Sequence, residues 1–202
     1  MNDAESRWAA DPRPSADEYD ARWCQLAESG TDLHGEADFV MSYRPQSVLD
    51  AGCGTGRVAI ELARRGVEVV GVDLDRGLLE GAQRKAPTLS WHHGDLATFD
   101  LGRTFDLVVL AGNVMIFLAV ETEALVLANL TRHLVPGGLI VAGFQIGRGR
   151  LSLAQFDEHA GKSGLAGHER FASWDRDPYR GGDYAVSVLK LTEPAGVSAH
   201  SG

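Results

Sequence analysis

The chain has 202 residues, a formal net charge of −9 and an isoelectric point near 5.2. This length suits one domain with a sizeable core, and so acidic a protein argues against a nucleic-acid substrate because it would repel phosphate backbones. The two cysteines, Cys24 and Cys53, are too few for a disulfide framework. We find no signal-peptide pattern and no apolar run that could span a bilayer, so we expect free thiols, no membrane partner and a cytoplasmic location.

The N-terminal part predicts a flexible segment followed by two helices. Residues 1–14 are polar and contain two prolines, so we expect them to be loose. Ser15 and the glutamate three positions later match a capping box, which predicts a helix over 16–28. A second helix is predicted over 35–43. Two roles stay open for these helices: they only cap the sheet, or they form a lid over a ligand with Tyr19, Arg22 and Trp23.

The next segment predicts a nucleotide-binding unit. A short apolar run over 47–49 is typical of a strand buried on both faces. Asp50 and three alternating glycines follow, and the apolar residues over 57–66 then recur at helical spacing up to a terminating glycine. A β-branched run over 67–72 ends at Asp73. The order strand, glycine loop, helix, strand and acid is that of a βαβ nucleotide-binding half.

Each part of this unit suits a ligand with a sugar and an anionic end. Glycines allow a tight turn and let a ligand lie against bare backbone. The helix after the loop points unpaired N–H groups at a carboxylate or phosphate. Asp73 lies where it can accept hydrogen bonds from two ribose hydroxyls. The alternative is a glycine-rich turn in an ordinary α/β protein.

The glycine spacing separates two families. Dinucleotide enzymes need G-x-G-x-x-G, whereas residues 50–56 read D-A-G-C-G-T-G and an arginine stands where the third glycine would fall. The stretch resembles the first motif, D-x-G-x-G-x-G, of class I S-adenosylmethionine-dependent methyltransferases. The resemblance implies that S-adenosyl-L-methionine is the cofactor. In this unit it implies contacts from Asp50, Ala51, Gly52, Cys53, Gly54, Thr55, Gly56, Arg57, Asp73 and Leu74.

Three more strands are predicted, over 88–93, 104–110 and 139–144, with helices over 76–85 and 121–133. In the resembling family an acid after the third strand binds the adenine amino group and the next backbone N–H contacts the ring. That implies roles for Asp95 and Leu96, although Asp95 could instead cap a short helix. Ligands of parallel sheets gather at the carboxyl ends of the strands, which adds Ala111, Gly112 and Asn113.

Three shorter features belong to the same region. Asp106 starts the fourth strand, away from the site, so we assign it a structural role. The segment 114–118 is unusually apolar for a loop and could line a substrate pocket. The turn L-V-P-G-G over 134–138 is similar to the one that precedes the fifth strand in this family. The resemblance covers 47–144.

The C-terminal part predicts a short helix over 153–159, a glycine-rich connection over 161–167 and strands over 168–174 and 184–191. The two strands suggest an antiparallel hairpin at the sheet edge, which is also how the family closes its sheet. The predicted fold class is α/β, a seven-stranded, mostly parallel, doubly wound Rossmann-like sheet. We expect one domain over 15–193 with N-terminal helices (15–45), a cofactor core (46–145) and substrate-side loops with the hairpin (146–193), then a flexible tail (194–202).

The predicted function is methyl transfer from S-adenosyl-L-methionine to a small molecule. Positioning supplies much of the rate enhancement in such reactions, so no fixed catalytic constellation is required. Candidate bases are His92, His93, His159 and Asp157, each of which has a simpler structural role. We see no metal-ligand spacing. Asn113 is not followed by Pro-Pro-aromatic, which argues against the DNA amino-methylating enzymes.

Two alternatives stay open. One is a non-catalytic protein that binds S-adenosylmethionine or S-adenosylhomocysteine. The other is an NAD(P)-dependent oxidoreductase, which the glycine spacing disfavours. The sequence indicates neither the methyl acceptor nor the oligomeric state.

Overall fold

The computed structural model describes residues 14–30, 32–147 and 151–192. The predictions for the flexible segment before Pro14 and for the tail lie outside the described residues. Seven strands form one sheet. They are β1 (Ser47–Ala51), β2 (Glu68–Asp73), β3 (Ser90–His93), β4 (Phe105–Leu110), β5 (Leu134–Gln145), β6 (Leu165–Phe171) and β7 (Tyr184–Leu191).

The order of the strands across the sheet is β3-β2-β1-β4-β5-β7-β6. Strands β1 to β5 run parallel, while β7 is antiparallel to both of its neighbours, β5 and β6. The predicted α/β fold class is therefore confirmed, including the C-terminal antiparallel hairpin. From β1 the chain adds β2 and β3 on one side and then β4 and β5 on the other, so the order of strands reverses at β1 and β4. Ligands of such sheets bind at this switch point, outside the carboxyl ends of the strands.

Helices connect most consecutive strands, as expected of a doubly wound sheet. The first helix has the predicted bounds because its capping box is present: Ser15 Oγ accepts a 3.2 Å hydrogen bond from the N–H of Glu18, whose carboxylate accepts from the Ser15 N–H at 2.8 Å. The helices are α1 (Ala16–Glu28), α2 (Gly35–Met41), α3 (Arg57–Arg64), α4 (Arg76–Lys85), α5 (Val114–Phe117), α6 (Glu123–Thr131) and α7 (Leu153–Lys162).

The sheet separates two apolar cores, as expected for strands that are buried on both faces. Leu49 and Val108 contribute to one core, while Val48 and Val109 contribute to the other. All four side chains are fully buried. Successive residues of β1 and β4 thus pack into opposite cores, which holds these two central strands in place. The candidate site lies at their carboxyl ends.

Three local predictions differ from the structure. The predicted turn over 134–138 belongs to β5, where it bulges out: Phe105 pairs with Leu134, but Leu107 pairs with Leu139. The apolar segment 114–118 is largely the short helix α5. The glycine-rich segment 161–167 is not a connection throughout, because α7 continues to Lys162 and β6 covers Leu165–Phe171 rather than the predicted 168–174.

Gly164 explains the last of these differences. Its φ of 78° lies in the left-handed region, where glycine turns the chain without strain. The connection between α7 and β6 therefore needs only Ser163 and Gly164. Within the described ranges, no helix is long and apolar enough to cross a membrane. The division of the chain into one domain over 15–193 stays a prediction.

Candidate functional site

The glycine loop continues the pairing of β1 with β2. The N–H groups of Gly52 and Cys53 both donate to the carbonyl of Val72, at 2.8 and 3.1 Å. Gly52, Gly54 and Gly56 have φ values of 80°, 55° and 80°. Only glycine adopts these left-handed conformations freely, so the alternating glycines are required by the backbone itself.

The three glycines face different surroundings. A Cβ on Gly52 would lie 2.6 Å from a methyl group of Val114, and one on Gly56 would lie 2.4 Å from the ring of Trp91. A Cβ on Gly54 would meet only ordinary contacts, 3.8 Å from the ring of Tyr19 and 3.9 Å from its hydroxyl. Gly52 and Gly56 thus also leave room for other side chains of the protein. This second role was not predicted from the sequence. The Cα of Gly54 faces the crevice beneath α1.

Asp73 connects the end of β2 to this loop. Its Oδ2 accepts a 2.7 Å hydrogen bond from the Gly54 N–H, and its Oδ1 accepts a 2.8 Å bond from the Asp75 N–H. Burial raises the pKa of Asp73 above its usual value, against these two hydrogen bonds. The Leu74 backbone also contributes to Asp73, and since a carboxylate has about four acceptor positions, Asp73 keeps capacity for a ribose hydroxyl. The contact of Asp73 with a ribose stays a prediction.

Asp50 lies beneath the loop and is only 2% exposed. Its Oδ2 accepts a 3.1 Å hydrogen bond from the Ala59 N–H in the first turn of α3. Burial raises the pKa of Asp50 to about 7, while the Ala59 hydrogen bond and the charge of Arg57 oppose the shift. Asp50 therefore supports the amino end of α3 from within the core.

Arg57 ties the loop to the two N-terminal helices. Its guanidinium makes a bidentate pair with Glu36, with distances of 2.9 and 2.5 Å, and also donates to the Leu33 carbonyl. The same guanidinium stacks 4.0 Å from the centre of the Trp23 ring. Arg57 therefore has a structural role between α1, α2 and α3, and its cofactor role stays a prediction.

Helix α1 lies across the glycine loop. The Tyr19 hydroxyl is close to both Gly54 and Gly112, at 3.9 and 4.0 Å from their Cβ positions. Asp20 accepts a 2.5 Å hydrogen bond from the Thr55 hydroxyl and pairs with Lys85 at 2.7 Å. These contacts place α1 over the candidate site. Of the three residues suggested for a lid, Tyr19 and Trp23 contact the loop side, whereas Arg22 is exposed.

The predicted adenine-side residues lie beyond β2 and β3. The large apolar side chain of Leu74 is 40% exposed, whereas that of Leu96 is 6% exposed. Asp95 is exposed, and its Oδ1 accepts a 2.9 Å hydrogen bond from the Ala97 N–H. Asp95 therefore closes a turn rather than capping the short helix that was left open as its alternative role, because β4 follows β3 without a helix between them.

The end of β4 completes the site. Ala111 is buried, Gly112 has a φ of 70° and Asn113 has a φ of 66°. Asn113 Oδ1 accepts a 2.8 Å hydrogen bond from the Gln145 N–H at the end of β5. The carboxyl ends of β4 and β5 are therefore joined beside the glycine loop. Asp106, at the opposite end of β4, accepts from the backbone of Ser47 at 2.9 Å, in agreement with its assigned structural role.

The four candidate bases do not converge on one point. His92 is exposed, and a ring nitrogen of His93 lies 3.0 Å from the Leu74 carbonyl. Asp157 is paired with Arg170 of β6, which three strands separate from β1. His159 has a buried Nδ1 that makes no hydrogen bond to the residues the structure describes. Among the described residues, no group of three or more His, Cys, Asp or Glu side chains could hold a metal ion.

Comparison with known proteins agrees with this geometry. A family model described as a methyltransferase domain matches residues 48–138. A crystal structure of a TehB-like SAM-dependent methyltransferase from Corynebacterium glutamicum is 39% identical, with a TM-score of 0.81, over 88% of this chain and 98% of that one. CalS10, an amino pentose methyltransferase from Micromonospora echinaspora, shares the fold, with a TM-score of 0.69, 22% identity and coverage of 85% and 97%.

A curated relative from Streptomyces venezuelae is named as the N,N-dimethyltransferase of dTDP-3-amino-3,4,6-trideoxy-α-D-glucopyranose. It is 32% identical over 62% of this chain and 55% of its own length. The chain spans about half the length of the curated relatives it matches. The fold, the glycine loop and these likenesses together define a class. The chain belongs to the class I S-adenosylmethionine-dependent methyltransferases, which confirms the predicted family and its cofactor, S-adenosylmethionine.

Proposed function

We propose that this protein transfers the methyl group of S-adenosylmethionine to a small-molecule acceptor. The observation that carries the proposal is the Asp73 carboxylate bonded to Gly54 of the glycine loop, with Tyr19 of α1 above them. A small acceptor is supported by the names of the relatives, which act on amino sugars, and by the net charge of −9. A strongly acidic protein repels nucleic acid.

The residues have separable roles in this proposal. S-adenosylmethionine, when bound, supplies a methyl group on a positively charged sulfur. The glycine loop and the amino end of α3 would hold its amino-acid end, Asp73 its ribose, and Asp95 with Leu96 its adenine. Helix α1 would exclude water and fix the acceptor, and orientation of this kind contributes on the order of 7 to 11 kcal/mol in well-aligned reactions. An acceptor that arrives unprotonated needs no protein base.

We also propose a cytoplasmic location. The described cysteines support it, because Cys24 and Cys53 are both free thiols. Cys53 is buried inside the glycine loop, and burial raises its pKa well above the usual value. A thiol that stays protonated reacts slowly with oxidants and is compatible with a reducing compartment.

The test has a binding step and a transfer step. Calorimetric titration with S-adenosylmethionine and S-adenosylhomocysteine should show one site per chain. Tritiated-methyl transfer to a panel of amino sugars, dTDP-amino sugars, phenols and thiols should then label at least one acceptor. Binding without transfer to the panel or to a metabolite extract would instead favour the non-catalytic binding protein. Quenching or enhancement of NADH fluorescence at low concentrations of protein would favour the oxidoreductase.

A further inference from the structure

Two aromatic side chains, Trp174 and Tyr184, stand near the carboxyl end of β5. A Cβ on Gly143 would lie 2.4 Å from the Trp174 ring and 2.6 Å from the Tyr184 hydroxyl, so both groups lie directly over this glycine. Tyr184 also pairs in register with Gln145, the last residue of β5. Gln145 is the residue that Asn113 binds from the end of β4. The pair of rings therefore borders the switch-point edge of the sheet.

The Tyr184 hydroxyl has an unused donor. Trp174 Nε1 donates a 2.8 Å hydrogen bond to its oxygen, which uses one lone pair. In the described part of the chain, no acceptor for the hydroxyl hydrogen is present. Burial raises the pKa of Tyr184 to about 12, so the hydroxyl stays protonated at neutral pH. Both side chains are only partly buried, which leaves them accessible to a ligand.

The segment after Trp174 is held rigidly. Arg176 donates to the Ser42 hydroxyl at 2.6 Å and pairs with Glu169 at 3.3 Å. Its guanidinium lies 4.6 Å from the centre of the Phe171 ring. Trp174 itself packs edge-to-face on Phe39, with ring centres 5.3 Å apart. Rings fixed in this way lose little conformational entropy when a ligand binds.

We propose that Trp174 and Tyr184 form the acceptor-binding wall of the methyl-transfer site, with the Tyr184 hydroxyl donating a hydrogen bond to the acceptor. This inference rests on the proposed function. An aromatic wall with one placed donor suits a polar small molecule that has an apolar face and a hydroxyl, carbonyl or amine lone pair. An aminodeoxy sugar has this chemistry.

The kinetic test compares Tyr184, the first residue of β7, with Tyr179 in the connection before it. Tyr184→Phe removes the donor and keeps the ring, and Tyr179→Phe is the matched control because the Tyr179 hydroxyl makes only a 3.5 Å contact with Gly182. With dTDP-3-amino-3,4,6-trideoxyglucose as the probe, Tyr184→Phe should raise KM about fivefold to tenfold, the scale of one hydrogen bond. Its affinity for S-adenosylmethionine should stay within about twofold of the unmodified protein's. An unchanged KM would overturn the inference.

A crystal structure with S-adenosylhomocysteine decides the question even if this probe is not methylated. We expect the Tyr184 hydroxyl to face the cavity beside the sulfur atom. If the ligand binds at the glycine loop but other side chains separate that cavity from Tyr184, the inference is wrong and the proposed function stands. If the ligand does not bind at the loop, the proposed function itself is wrong.

Discussion

The backbone N–H of Gly54 donates a 2.7 Å hydrogen bond to the carboxylate of Asp73. The glycine loop and the acid after β2 are therefore one structural unit rather than two independent ligand contacts. The same carboxylate accepts from Asp75, at the start of α4. Any change at Asp73 should consequently affect both the shape of the loop and the affinity for a nucleoside.

Replacement of Asp73 by alanine should weaken S-adenosylmethionine binding by about 1.5 to 3 kcal/mol, the scale of hydrogen bonds to a charged group. Asp73→Asn keeps one acceptor oxygen and should lose less. Isothermal titration calorimetry measures both, and Asp100→Asn, at an exposed carboxylate before β4, is the control for lost charge. Unchanged affinity in a folded Asp73→Ala protein would refute the assignment.

Gly54→Ala should abolish or strongly weaken cofactor binding, whereas Gly102→Ala should not. Both glycines have left-handed φ values, 55° and 62°, so both substitutions should destabilise the fold by about 1 to 2 kcal/mol. A Cβ on Gly102 meets nothing within 4 Å, while one on Gly54 points beneath Tyr19. Thermal unfolding and calorimetry together separate strain from obstruction. Equal affinities in the two variants would contradict the account.

The nucleotide-binding unit was predictable because its determinants are local. The apolar run of β1, the alternating glycines and Asp73 follow one another along the chain, and the capping box at Ser15 set the start of α1. These patterns constrain the backbone directly, whatever surrounds them. The same holds for β7, whose predicted bounds 184–191 agree with the structure.

What the sequence did not reveal depends on contacts between distant residues. Trp91 packs on Gly56 and Gly71, and no local pattern indicates that a tryptophan of β3 needs this space. The Arg57–Glu36 pair and the aromatic wall over Gly143 likewise join separate elements. Helix α5 was missed because four residues without a side-chain cap carry too little periodic signal.

Helix α1 should loosen when one of its polar contacts, the Asp20–Lys85 pair, is removed. Lys85→Met removes the cation that pairs with Asp20 at 2.7 Å, so amide exchange over 16–28 should accelerate about twofold to fivefold. Cofactor affinity should fall by a similar factor if α1 covers the bound ligand. Lys162→Met, which breaks the exposed Lys162–Glu158 pair on α7, is the control. Identical exchange of α1 in both variants would show that the Asp20–Lys85 contact does not hold the helix.

Asp50 should make the ligand-free protein less stable at higher pH. Its pKa is about 7 in the fold and near 3.8 when unfolded, so the folded state binds the proton more tightly. Its stabilising contribution is complete below the unfolded value and declines as the pH rises through the folded one. Between pH 5 and pH 8 the free energy of unfolding should fall by up to about 3 kcal/mol relative to Asp50→Asn.

Asn is a suitable replacement because its side-chain oxygen can still accept from Ala59 and it does not titrate. Urea unfolding at the two pH values provides the comparison, with Glu80→Gln, at an exposed carboxylate of α4, as the control for lost charge. Parallel pH profiles for the unmodified protein and Asp50→Asn would contradict the assignment of a protonated, buried carboxyl group.

The central claim is that a sulfonium nucleoside binds between the glycine loop and α1. The most direct measurement is a crystal structure of the full chain soaked with S-adenosylhomocysteine. We expect ribose oxygens within hydrogen-bond distance of Asp73 and the amino-acid end against the glycine loop. Ligand bound elsewhere, or no ligand at the loop in crystals soaked at saturating concentration, would contradict it.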